Sequence, residues 1–392
     1  MSETGLSAAA ILAEIQSESL QNLLASVKLE TSPPGLTHVP ALDSYLASVN
    51  NQRFASRDWP LNRGDVVEIQ GPAASGKTHL VYHMLIICLL PERHLDTELG
   101  GWGKAAILID TEGKFNIRRF HDMLLSRLRR YLGEGDSTDS VVSLEDVATQ
   151  CLQNLHVFRP TSSAQLAVTL LHLPRYHATV SRLQDQEIGL LAIDSMSAFY
   201  WRDRFTLEQL RDAAQGSSRG NLPPNPILHV LKALAKFRAS HRPVILMTNW
   251  GLNPLGKPSA TGDPETPFYR QHLHPFPAPF EPHGAAEAVA SLESSQPRGG
   301  GGNVTPRGGS RPRLVESVLP LHYHITLHPS PIDPFPATFS LGDALRHEDM
   351  RSVLVKKGEI RGLVRAPGEE EVGEFTFCIG DREVLVDPDE LP

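Results

Sequence analysis

Five short apolar runs mark the first two thirds of the chain: Val66–Gln70, Ala105–Asp110, Leu155–Phe158, Gly189–Asp194 and Val244–Thr248. Each is rich in Val, Ile or Leu. Such continuous runs predict strands buried on both faces. Thr78–Leu90, Ile117–Tyr131, Ser163–Leu173 and Ile227–Ser240 lie between them and read as helices. Strands alternating with helices predict an α/β fold, a mostly parallel twisted sheet with helices on both faces.

The pattern differs at both ends. Residues 1–34 read as a helical segment, with Ala8–Ile15 and Leu20–Val27 as short helices before Ser32-Pro33-Pro34. From Gly256 to Arg313 the composition turns to Pro, Gly, Ser and Glu, which predicts a disordered insertion. Order is expected again at Leu319–Leu327. There Leu321, Tyr323, Ile325 and Leu327 alternate with His322, His324 and Thr326, the period of a half-buried strand that places both histidines at the surface. Ser352–Lys356, Glu359–Arg365 and Glu374–Val386 read as further, antiparallel strands. No internal repeat is visible.

Composition narrows the classes. The 392 residues are 40% hydrophobic and 21% charged, the balance of a soluble globular protein with some disorder. A net charge of −8 argues against coating duplex DNA by bulk charge. Cys88, Cys151 and Cys378 lie far apart with no zinc-ligand spacing, which suits unpaired thiols in a reducing compartment. Glu3, Glu14 and Glu18 precede the first lysine, Lys28, unlike a basic presequence. The apolar stretch Leu80–Leu90 is too short to span a bilayer, and no membrane association is expected.

One segment carries specific chemistry. Gly71-Pro72-Ala73-Ala74-Ser75-Gly76-Lys77-Thr78 matches the phosphate-loop pattern GxxxxGK[ST], between an expected strand and an expected helix. Glycines let backbone amides turn inward around phosphates, and the helix N-terminus adds its dipole. Lys77 would reach the β- and γ-phosphates, and the Thr78 hydroxyl would ligate Mg²⁺. The binding set expected for the triphosphate is Gly71, Ala74, Ser75, Gly76, Lys77, Thr78 and His79. Asp194, at the end of the strand Gly189–Asp194, is the magnesium-side carboxylate, in competition with an ordinary strand-end cap. The Asp110-Thr111-Glu112-Gly113 turn could orient a water against the γ-phosphate or be merely an acidic turn.

Several segments together resemble the RecA-type recombinases, in their eukaryotic and archaeal branch. The entry segment Gly35–Asp43, Leu61-Asn62-Arg63-Gly64-Asp65, and Asp110–Phe115 with Arg118 and Arg119 are similar to family segments. So are the strand Val244–Asn249 and the hairpin Lys356–Arg361. The run Asp194-Ser195-Met196-Ser197-Ala198-Phe199-Tyr200-Trp201-Arg202-Asp203-Arg204, with Leu155–Pro160, is similar to one paralogue group within that branch. The resemblance covers about residues 35–250 and 319–387.

The resemblance implies a RecA-type ATP-binding core over 35–255 and C-terminal strands completing it over 314–388, on either side of the 256–313 insertion. It implies ATP and Mg²⁺ as cofactors, with Glu112 as hydrolytic base, Lys77 in the catalytic set, and Thr78 and Asp194 at the metal. It implies nuclear work in homologous recombination, inside a hetero-oligomer of recombinase paralogues, on single-stranded DNA through the complex. Whether the chain hydrolyses ATP, as a weak DNA-dependent ATPase, stays open.

The chain departs from the family at instructive places. Active recombinases usually carry Gln after the Thr-Asn found here at Thr248-Asn249; here Trp250 stands there. An indole offers one donor and no acceptor, so coupling of the γ-phosphate to the DNA-binding loop through an amide is lost. The 34 N-terminal residues are too few for the helix–hairpin–helix domain of full recombinases. Two alternatives follow: an adaptor whose nucleotide is structural, or an active strand-exchange ATPase.

Other features weigh less. Arg298, Arg307, Arg311 and Arg313 could track single-stranded nucleic acid or be a solvated linker. Trp201, beside Arg202 and Arg204, could stack on a base or pack against protein. His272, His274 and His283 lack a carboxylate or cysteine to complete a metal site. The acidic stretch 134–139 reads as a solvated connection.

Overall fold

In the computed structural model β1 (Val66–Gly71) is buried along its whole length. So is β2 (Ala105–Asp110), as the unbroken apolar runs require. The described residues are 35–53, 59–133, 144–214, 226–252, 254–255, 268–269, 319–330, 335–336 and 338–386. The expected N-terminal helical segment, the 256–313 insertion apart from 268–269, the acidic stretch 134–139 and the Arg- and His-bearing parts of the insertion lie outside them.

The other strands of the main sheet are β3 (Leu155–Phe158), β4 (Ile188–Asp194), β5 (Val244–Trp250), β6 (Tyr323–Pro329), β7 (Glu359–Arg365), β8 (Gly373–Ile379) and β9 (Val384–Leu385). They form one nine-stranded sheet in the order β9-β8-β7-β6-β1-β5-β4-β2-β3. Pairings from β6 through β3 are parallel, and β6-β7, β7-β8 and β8-β9 are antiparallel. The fold is therefore α/β with an antiparallel C-terminal part.

Strand periodicity divides the core in two. Val67, Ile69, Ala106 and Leu108 face α1 (Pro40–Arg53), α2 (Lys77–Leu89), α3 (Ile117–Leu132) and α4 (Leu144–Leu152). Ile107, Ile109, Leu191 and Ile193 face α5 (Ser163–Thr179) and α7 (Pro226–His241). Between them in sequence, α6 (Tyr200–Ala214) follows a short turn after β4. The caps are local: Asn116 accepts from Arg118 and Arg119 to start α3, and Ser162 from Gln165 to start α5.

Two expectations fail here. Ser352–Lys356 is not a strand; it is the second half of α9 (Glu348–Lys357), which follows α8 (Leu341–Arg346). Val353 and Val355 suggested a strand, yet both are mostly exposed. Glu348 at the start, Lys356 and Lys357 in the last turn, and Gly358 in the left-handed region (φ 59°) are helix-end signals that outweigh two valines. Second, β6 is buried on both faces, so His324 is fully buried rather than at the surface, and His322 is half-buried. The alternation in β6 does mark two faces, but the second is polar and covered.

Gly358 tests this C-terminal arrangement. A Cβ there would sit 2.4 Å from the Ile379 carbonyl oxygen while φ is 59°. Gly358→Ala should destabilise the protein by about 1–3 kcal/mol, read from the urea midpoint; an unchanged midpoint would contradict the packing of α9 on β8.

Candidate nucleotide site

The parallel strands end along one sheet edge, where ligands bind in such folds. Gly71–Thr78 crosses that edge from β1 to α2. Ala74 and Gly76 are both left-handed, with φ of 60° and 81°. Such alternating conformations make an anion-binding concavity of backbone amides. Gly76 is the N-cap of α2 and no side chain caps that end, so its first amides and dipole remain for an anion. A Cβ on Gly76 would lie 3.0 Å from Ile379 and 3.2 Å from Ile360 and Phe377. The C-terminal strands thus back the loop and leave no room for a side chain.

The structure brings Gly71, Ala74, Ser75, Gly76, Lys77, Thr78, His79, Glu112 and Asp194 into one cleft of about 450 Å³. Lys77 Nζ donates to the carbonyls of Gly71 (2.9 Å) and Pro72 (2.6 Å). Burial holds its pKa down to about 8, although Asp194 and Glu112 oppose the shift. His79 lies beside Tyr82, and burial lowers its pKa, helped by Arg119.

Thr78 Oγ1 donates to Asp194 Oδ2 at 2.7 Å, and Thr248 Oγ1 donates to Asp194 Oδ1 at 2.5 Å. Burial raises the Asp194 pKa, and those two hydrogen bonds resist. A hydroxyl beside a buried carboxylate is a hard oxygen pair of the kind Mg²⁺ takes, the remaining ligands being phosphate oxygens and water. Among the described residues no group of three or more His, Cys, Asp or Glu could hold an ion alone. The donor set therefore fits a metal that arrives with a polyphosphate.

The turn after β2 is built by Asp110. Its carboxylate accepts from the Lys114 and Phe115 amides, both at 3.0 Å, and from Arg159 Nε at 3.1 Å. Thr111 ties the turn to Ser195 by two hydrogen bonds. Glu112 is thereby aimed into the cleft, where three donors meet it. Oε1 accepts from Ser195 Oγ (2.8 Å) and Trp250 Nε1 (3.1 Å), and Oε2 from Lys114 Nζ (2.5 Å). Burial alone would raise the Glu112 pKa; the hydrogen bonds from Lys114, Ser195 and Trp250 outweigh it and lower the pKa. A carboxylate that already accepts three hydrogen bonds and has a lowered pKa is a weaker general base.

Other predicted residues stand apart from the cleft. Trp201 is exposed with Arg204 over its ring at 5.7 Å; Arg202 lies over Phe199 and donates to the Thr161 carbonyl. Sequence reading missed Thr248, Ser195 and Lys114. Thr248 could have been suspected as a hydroxyl at a strand end, but its place beside Asp194 depends on the β4-β5 pairing, which no local pattern states.

A mostly parallel sheet with a phosphate loop and a strand-end aspartate defines a nucleotide-binding RecA-like core, and the chain resembles the RecA-type recombinase paralogues. No family model matches the chain. It is 28% identical to the DNA repair protein XRCC2 homolog of Arabidopsis thaliana, over 48% of this chain and 55% of that protein. It is also 28% identical to DNA repair protein XRCC2 of Mus musculus, over 56% of this chain and 67% of that protein. With DNA repair and recombination protein RadA of Methanoculleus marisnigri it is 29% identical, over 52% and 53%. The chain spans about half to two thirds of the length of these relatives.

The Lys77 environment sets a pH dependence. The ammonium is the form that attracts phosphate, and a bound phosphate would raise its pKa. Polyphosphate affinity should therefore hold below about pH 8 and weaken as pH rises through it, with proton uptake on binding near pH 8. Calorimetry in two buffers of different ionisation enthalpy measures this; equal affinity on both sides of pH 8 would contradict it.

Proposed function

We propose that the chain is an ATP-binding recombinase paralogue serving DNA double-strand-break repair by homologous recombination. It works in the nucleus, as an accessory within a complex of recombinase paralogues on single-stranded DNA. The names of the relatives, DNA repair protein XRCC2 and DNA repair and recombination protein RadA, support the repair assignment. Among the described residues no helix is long and apolar enough to cross a membrane.

Each site residue has a part in this reading. The Gly71–Gly76 backbone and the α2 N-terminus cradle the phosphates, Lys77 neutralises their charge, and Thr78 and Asp194 hold Mg²⁺. The metal, when bound, would screen the phosphate oxygens. Glu112 occupies the position of a water-activating base, but Trp250, Ser195 and Lys114 occupy its oxygens. That single observation carries the conclusion: the site holds ATP far better than it turns it over. It favours nucleotide as a fixative for the assembly over a strand-exchange motor, and so keeps the adaptor reading close.

Lys77→Ala removes charge-assisted contacts worth about 1.5–3 kcal/mol, so ATP affinity should fall roughly tenfold or more. Trp250→Gln should keep affinity and raise turnover, because it removes the indole donor from Glu112. Filter binding and phosphate release measure the two. Unchanged affinity in the first variant removes the nucleotide reading; fast turnover by the unmodified chain removes the holding role.

A further inference from the structure

Behind the cleft lies a row of buried polar side chains that the nucleotide site does not use. They sit on the sheet face whose apolar part packs on α5 and α7. Arg365 on β7 donates from Nε to His324 Nδ1 at 3.2 Å. A guanidinium can only donate, so Nδ1 is the acceptor and the His324 proton is on Nε2. Burial, with Arg365 beside it, keeps this imidazole neutral by holding its pKa well below the usual value. Nε2 then donates to Gln70 Oε1 at 3.0 Å, and Gln70 Nε2 donates to the Trp250 carbonyl at 3.3 Å. The Trp250 indole donates in turn to Glu112. All four donors point toward the cleft.

A second branch holds the other side of Trp250. Its backbone N–H donates to Ser197 Oγ (2.9 Å), Ser197 Oγ donates to Asn249 Oδ1 (3.0 Å), and Asn249 Nδ2 donates to Glu68 Oε1 (2.7 Å). The other Glu68 oxygen lies 3.8 Å from His324 Nε2. Both backbone groups of Trp250 are thus fixed by chains of hydrogen bonds that converge on Glu68 and His324, each about 1% exposed or less. Buried polar chains of this kind restrict the geometry of the groups they join.

The far end of the row meets the short strand Phe268–Tyr269. The Arg365 guanidinium lies over the Phe268 ring at 4.3 Å, and Tyr269 stacks on His328 at 5.6 Å. We propose that Arg365, His324 and Gln70 are a positioning relay that sets where Trp250 holds Glu112, and that it makes the nucleotide site sensitive to how Phe268 seats on Arg365. The relay deepens the nucleotide-site reading above and rests on it for its function. Arg365, His324 and Gln70 act through Trp250, and none of them lines the phosphate cleft.

The full chain labelled with 5-fluorotryptophan gives a fluorine resonance for each of its four tryptophans, and Trp250→Phe assigns one of them. Without nucleotide, Arg365→Met should move the Trp250 resonance by more than its linewidth, although Arg365 is two side chains removed from Trp250. Phe268→Leu should move the same resonance in the same experiment and serves if Arg365→Met does not fold. Val364→Ala lies on the opposite sheet face and is the control. It should lower the melting temperature and leave the resonance in place. With MgATP added, Arg365→Met should change affinity about fivefold or more, the lower end of ordinary coupling. A stationary Trp250 resonance in both relay variants, or an equal shift in Val364→Ala, overturns the relay. Failure of the unmodified chain to respond to MgATP instead overturns the nucleotide reading and leaves the relay to be judged on the nucleotide-free spectra.

Discussion

The site depends on one buried carboxylate. Asp194 accepts from Thr78 at the start of α2 and from Thr248 on β5, and so fastens the phosphate loop to two neighbouring strand ends. Burial makes the charge costly and raises its pKa, and the two hydroxyl hydrogen bonds, with Lys77 nearby, work against that rise. Everything the cleft can do follows from strands ending together at this point. The parallel order places β1, β5, β4 and β2 side by side. Their last residues are consequently the loop, Trp250, Asp194 and the turn leading to Glu112.

Chemistry divides unevenly across the cleft. The phosphate side has everything an anion needs: left-handed loop residues, an uncapped helix end, a buried lysine and a hydroxyl–carboxylate pair. On the opposite side the Glu112 carboxylate is engaged by hydrogen bonds from within the chain. Glu112 already accepts from Ser195, Trp250 and Lys114, and each of these hydrogen bonds favours its charged form over the protonated one. Trp250 matters doubly. It stands where the recombinases that the chain resembles usually carry Gln, and its indole N–H donates to Glu112. A protein that must stay assembled while bound to nucleotide would gain from both.

Much of this was legible in the residues. The all-apolar strands and the phosphate loop are local patterns, and Asp194 was legible as a strand-end carboxylate that could serve a metal or a cap. Trp250 was legible as a departure, but its contact with Glu112 was not, because it needs the β4-β5-β1 order. The valines of α9 misled, since two β-branched residues in five weigh less than the charges and glycine at the helix ends. His324 misled for a different reason. Alternation tells which residues share a face and not whether that face is wet; here Phe268, Arg365, Gln70 and Glu68 surround it. The buried polar row was invisible in sequence because its members come from three strands, with His324 and Arg365 separated by 41 residues and Gln70 and His324 by 254.

The proposed role requires a cleft that holds ATP without consuming it. The direct measurement is recovery of nucleotide. The chain is incubated with MgATP, stripped of free ligand by rapid desalting, denatured, and its nucleotide identified by chromatography. Intact ATP, bound in proportion to protein and lost when Mg²⁺ is chelated, is the expected result. Nucleotide-free protein, or protein carrying only ADP, would contradict it.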